Sequence, residues 1–81
     1  MNGFHLTIAS VGSSLFDAVA QSCTLPGSEG VFTVLAEHEP FITTLKKGTL
    51  TVVDEKGEKR TFECQESGVC EVSNNTCMVL L

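Results

Sequence analysis

The chain has 81 residues, enough for one domain spanning 1–81 with a real but thin core. Ten acidic against five basic side chains give a net charge of −5, which argues against nucleic acid as a partner and against direct docking on anionic lipid, since both select clustered Lys and Arg. A hydrophobic fraction of 42% with 19% charged residues fits a folded globular domain rather than a disordered tail.

The opening Met1-Asn2-Gly3-Phe4-His5 has neither the basic region nor the apolar stretch of a signal peptide, and no run approaches the ~18–20 apolar residues of a membrane span. An intracellular protein is therefore expected. Phe4, Leu6 and Ile8 alternate with His5, Thr7 and Ala9, the period of a strand with one face inward. Ser13 to Val19 is the one helical candidate, with Leu15, Phe16 and Val19 on a common face, although two turns are too short to be stable alone. Val19, Cys23 and Leu25 share a parity that Gln21 breaks. Leu50 and Val52, Phe62 and Cys64, and Cys70 and Val72 each alternate with their neighbours, and Met78 to Leu81 reads as a final strand. Turn signals separate these runs at Val11-Gly12-Ser13, Pro26-Gly27-Ser28, Lys47-Gly48, Asp54 to Gly57, Ser67-Gly68 and Ser73-Asn74-Asn75. Leu50 to Gln65 then reads as a hairpin around a charged loop. The pattern predicts an all-β fold, a small antiparallel sandwich or flattened barrel of about 8–10 short strands.

Side chains able to carry chemistry are few. His38 stands between Glu37 and Glu39, but sequence neighbours on an extended chain face opposite ways, so the trio makes a poor acid–base or metal site and His38 reads as a polar loop residue. His5 alternates outward with the strand surface. Cys23, Cys64, Cys70 and Cys77 include no Cys-x-x-Cys pair. A three-thiol zinc site from Cys64, Cys70 and Cys77 lacks the spacing of a zinc knuckle, and free thiols packed as small hydrophobes are expected. Gly27-Ser28-Glu29-Gly30 lacks the Lys and the spacing of a phosphate loop, and its Glu would repel phosphate. Asn74-Asn75-Thr76 matches a glycosylation sequon that an intracellular chain would not use. No catalytic residue, cofactor or metal is expected. The competing reading is a secreted or metal-binding β module stabilised by its four cysteines.

One pattern reaches further. Leu25-Pro26-Gly27-Ser28-Glu29-Gly30, then Val34-Leu35, His38-Glu39-Pro40 and Leu45-Lys46-Lys47-Gly48-Thr49-Leu50, resembles the epsilon subunit of F-type ATP synthase. Its relatives read Pro-Gly-x-x-Gly-x-x-Gly-Ile/Leu, Gly-His-x-Pro and Leu-x-x-Gly-x-Leu. His5-Leu6 with Ser10, Leu15-Phe16-Asp17-Ala18-Val19, Ser67-Gly68-Val69-Cys70-Glu71-Val72 and Asn75 to Leu80 resemble its remaining motifs, in order along the whole chain. Ala18, Thr33, Glu37 and Ser67 each replace a family glycine, so loops differing from the family's are expected there. Cys64, Cys70 and Cys77 fall where relatives carry apolar residues.

The resemblance implies a β-sandwich at the foot of the rotor's central stalk that binds the gamma subunit, rests on the ring of c subunits, and passes torque without an active site. It implies c-ring contacts from Ser28, Glu29, Gly30 and Val31 and from Glu37, His38, Glu39 and Pro40, with Glu29 facing basic loop residues of c. It implies gamma contacts from Ser10, Phe41, Ile42 and Thr43. It places the chain peripherally on the cytoplasmic face of an energy-coupling membrane, the bacterial plasma membrane first among them, through protein and without membrane insertion. The family's C-terminal helical hairpin is not among these residues, so neither nucleotide binding nor restraint of ATP hydrolysis is expected of them.

Overall fold

A computed structural model describes residues 3–81; Met1 and Asn2, which open the stretch read for a signal peptide, lie outside the described residues. Six strands follow one another: β1 (Phe4–Ser10), β2 (Ser13–Gly27), β3 (Gly30–Leu35), β4 (Phe41–Asp54), β5 (Lys59–Ser73) and β6 (Thr76–Leu80). Their order across the sheet is β1-β6-β5-β4-β2-β3, and β2 pairs back onto β1. Five strands thus close a ring, and β3 lies outside it, hydrogen-bonded among the described strands to β2 alone. All pairings are antiparallel except β1 with β6. The all-β expectation holds, and no helix occurs among the described residues.

The predicted short strands reappear as halves of longer ones. β2 carries an irregularity between Ala20 and Ser22, leaving Gln21 as the extra residue. An inserted residue reverses which face each later side chain takes. Phe16 and Ala20 therefore point inward before Gln21, and Cys23 and Leu25 after it. This corrects the shared parity read for Val19: its neighbour Ala20 is buried and Val19 is exposed. The helical reading of Ser13 to Val19 is overturned, because the segment pairs with β1 from Ser10↔Ser13 to Phe4↔Ala20. Only Phe16 of the supposed helical face is buried; tertiary pairing outweighs a short helical periodicity.

Two predicted turns lie inside strands. Lys46 pairs with Ser67 and Gly48 with Cys64, so Lys47 on β4 faces Gln65 and Glu66 on β5, and both strands bend together. A Cβ on Gly48 would sit 2.8 Å from Pro26 Cβ, and one on Gly68 would sit 2.6 Å from the Leu80 carbonyl oxygen. These glycines mark close approaches at the corner, where the hairpin folds over, rather than chain reversals. The true reversals use positive φ at Gly12, Gly30, Glu37, Gly57, Asn74 and Asn75.

The core gathers Leu6, Ile8, Leu25, Leu45, Leu50, Val34, Val52 and Val79 with all four cysteines. Asp54 closes the β4–β5 hairpin: its Oδ1 accepts the Lys56 and Glu58 backbone N–H groups at 2.9 Å each, and its Oδ2 accepts from Arg60 Nε at 3.3 Å.

Candidate docking surface

The turn between β2 and β3 holds Ser28 and Glu29, and Gly30 and Val31 open β3. The turn is latched onto β4: the Ser28 backbone N–H donates to the Thr44 carbonyl at 3.0 Å, and the two hydroxyls lie 2.8 Å apart. The loop Glu37 to Pro40 lies at the other end of β3, which spans roughly 17 Å at about 3.4 Å per residue. Glu37 adopts φ 63° although it is not glycine, and its N–H donates to Asn75 Oδ1 at 2.7 Å. Asn75 Nδ2 in turn donates to the Gly3 carbonyl at 2.9 Å. Of the four positions where the family carries glycine, only Glu37 has a left-handed backbone; Ala18, Thr33 and Ser67 are strand residues with no positive φ. The loop thus keeps a glycine-like conformation, held by Asn75. The His38 and Phe41 ring centroids lie 4.9 Å apart, and Phe41 meets Phe32 edge to face at 5.4 Å. Phe41 therefore ties the loop to the middle of β3.

The structure thus holds the eight loop and turn residues at the two ends of β3, with side chains of β3 and β4 between them. The four residues read as gamma contacts are not gathered. Ile42 projects outward and is 68% exposed, whereas Phe41 and Thr43 have the opposite parity and are half-buried. Ser10 lies at the far end of β1, beside an open cleft of about 580 Å³ that Leu15, Glu63, Glu66 and Leu81 also line.

Register supplies what the residue-by-residue reading missed. Ile42 pairs with Glu71, Glu71 with Met78 and Met78 with Thr7; one row on, Thr44, Val69, Leu80 and Ala9 align in the same way. Cys70, Val72, Cys77 and Val79 take the inward positions, so Ile42, Val69, Met78 and Leu80 share an outer face and are all exposed. This apolar patch spans three strands, β4, β5 and β6, with Glu71 inside it. The unbroken run Met78-Val79-Leu80-Leu81 carried the signal, since a strand apolar at both parities has two faces to cover.

The buried thiols are unpaired, with Cys70 and Cys77 Sγ atoms 3.6 Å apart. Burial, with the neighbouring Cys70, pushes the Cys23 thiol up to about 12. The hydrogen bond with Cys70, then burial, hold Cys77 well above the usual thiol range. Such groups pack as hydrophobes at neutral pH. Among the described residues no three metal-ligating side chains come together.

Residues 3–81 match the family profile described as ATP synthase, Delta/Epsilon chain, beta-sandwich domain. The chain is 38% identical over 58 residues to an ATP synthase epsilon chain of Maricaulis maris, covering 72% of this chain and 44% of that one. It is 36% identical over 76 residues to the epsilon chain of Leptospira borgpetersenii, covering 94% and 58%. The chain therefore spans about half the length of these curated relatives. Its fold is similar to a chain of the Euglena gracilis mitochondrial ATP synthase solved as OSCP/F1/c-ring, with a TM-score of 0.90 at 24% identity, covering 99% of this chain and 51% of that chain. It is also similar to a chain of the Tetrahymena thermophila mitochondrial ATP synthase central stalk and c-ring, with a TM-score of 0.78 at 16% identity, covering 94% and 60%.

Proposed function

We propose a mechanical role for this chain, which belongs to the ATP synthase delta/epsilon β-sandwich family: it is a non-catalytic element of the central stalk that binds gamma and seats on the c ring, coupling ion flow to ATP synthesis. The observation that carries this reading is the family match over residues 3–81. The outer patch of Ile42, Val69, Met78 and Leu80 is the surface we assign to gamma; of the four residues first read as gamma contacts it includes Ile42, while Phe41 and Thr43 face the other way and Ser10 lies at the far end of β1. An exposed apolar patch rimmed by polar residues is what a protein interface needs. The ring contact falls to Ser28, Glu29, Gly30 and Val31 and to Glu37, His38, Glu39 and Pro40, with the Glu29 carboxylate facing basic side chains of the ring. Attachment through protein gives an acidic chain a peripheral place on the membrane's cytoplasmic face without lipid contact.

Both contacts are tested in one reconstitution with gamma and the c ring. Ile42→Asp with Met78→Asp is expected to lose gamma in co-purification. Glu29→Ala with His38→Ala is expected to keep gamma but weaken seating and coupled ATP synthesis. Ile42, Met78 and Glu29 are exposed, and such positions change fold stability by only about 0.5 kcal/mol; His38 is half-buried against Phe41, so thermal unfolding of the second variant accompanies its coupling assay. Full gamma capture by the first variant, or full coupling by the second, overturns the corresponding assignment.

A further inference from the structure

Unpaired strand edges remain along the first half of β2, the first half of β5, the start of β4 and the whole of β3. An open edge invites another strand, and soluble proteins blunt it with charge, proline, bulges or a covering segment. Three of these edges are blunted. β2 carries Asp17 and a register shift opposite Ile8 and Ala9. β5 carries Lys59, Arg60 and Glu63. The start of β4 follows Pro40 and is latched by Ser28 at Thr44. β3, Gly-Val-Phe-Thr-Val-Leu, has no charge and no proline, and its register runs unbroken from Gly27↔Gly30 to Ser22↔Leu35. Val31 is 72% and Leu35 is 56% exposed.

The surroundings of this bare edge define what fits it. Glu29 precedes β3, and Glu37 and Glu39 follow it, none of them ion-paired among the described residues. We infer that β3 is a docking edge for an extended segment of a partner protein, uncharged over about six residues, carrying Lys or Arg at both ends and adding to the sheet as a further strand. The backbone N–H and C=O groups of β3 supply the hydrogen bonds, and the flanking carboxylates meet the cationic ends. A second copy of this chain does not meet these terms. Antiparallel β3–β3 pairing sets Glu29 against Glu37 and Glu39, parallel pairing sets each carboxylate near its own copy, and like charges so placed repel. Glu29, Val31, Glu37 and Glu39 also belong to the surface assigned above to the ring, so strand and ring are alternative occupants of this edge, and strand docking on β3 does not rest on the rotor assignment.

The probe is a capped peptide, Lys-Val-Thr-Val-Thr-Val-Thr-Lys, titrated into the full chain while backbone amide exchange and chemical shifts are followed residue by residue. Saturable binding with slowed exchange along Gly30 to Leu35 is expected. Exchanging both terminal Lys for Glu, or N-methylating every second backbone nitrogen of the peptide, is each expected to weaken binding at least tenfold. Val31→Lys and Thr33→Lys, both at exposed strand positions, are expected to weaken it to a similar degree while the far-ultraviolet β signal stays unchanged. N-methylated peptide binding as well as the parent, protection on β2 or β5 instead of β3, or no response of β3 at millimolar peptide overturns the inference. So does a dimer of the chain alone that Val31→Lys dissolves, since the occupant is then a second copy.

Discussion

Single residues set the shape of the loops. Glu37 holds a left-handed backbone that costs an L residue about 1–2 kcal/mol, against a smaller entropic cost for glycine. Glu37→Gly is therefore expected to stabilise the fold by about 0.5–1 kcal/mol in urea unfolding. Asn75→Gly keeps the permissive backbone but removes the side-chain bonds to the Glu37 N–H and the Gly3 carbonyl. It is expected to cost about 1–2 kcal/mol, read in the same experiment. Asp54 gives the pH dependence. The Glu58 backbone N–H, with the Lys56 backbone N–H and the Arg60 guanidinium, holds its carboxyl below the usual carboxylate value despite some desolvation. A depressed folded pKa means that its stabilisation is complete above the unfolded value of about 4 and is lost as pH falls through the folded value. Asp54→Asn is thus expected to flatten the acid side of the stability curve, measured by thermal unfolding between neutral pH and about pH 2.

Elements depend on where strands bend. β4 and β5 fold over together at Lys46–Gly48 and Cys64–Ser67, and β6 crosses Gly68 so closely that a Cβ there would meet the Leu80 carbonyl at 2.6 Å. A backbone oxygen cannot rotate away as a side chain can. Gly68→Ala is expected to destabilise the fold by about 1–3 kcal/mol and to speed amide exchange in Thr76 to Leu80. The strand pairs Phe4/Leu6/Ile8, Leu50/Val52 and Cys70/Val72 were legible because each alternates within one unbroken run. The corner glycines were not. Lys47-Gly48 and Ser67-Gly68 look like any turn dipeptide, and only partners distant in sequence, Pro26 and Leu80, distinguish an approach from a reversal.

At the scale of the molecule, 33 × 23 × 21 Å, five of the six described strands close a ring. β6 is hydrogen-bonded on both sides, to β5 and to β1, with Cys77 and Val79 buried. A regulatory switch needs an element with two docked states of similar free energy, and a strand held on both edges is not one. Adding these 81 residues to the catalytic head with gamma is therefore expected to leave ATP hydrolysis unrestrained at saturating binding. Marked inhibition in a steady-state hydrolysis assay would show that the sandwich itself hinders rotation.

The order of residues by itself determined the all-β class, most of the inward-facing side chains, four of the five connections between strands and the motif series of the family, because each of these is written in short-range periodicity or spacing. Tertiary structure decided the rest. The bulge at Gln21 reverses the faces of β2, and pairing with β1 makes Ser13 to Val19 a strand. Ring closure joins β1 to β2 and leaves β3 with a bare edge. Strand register brings Ile42, Val69, Met78 and Leu80 onto one surface from three strands. Each of these depends on contacts between residues far apart in the chain, and a periodicity read within one strand carries no information about which strand lies beside it.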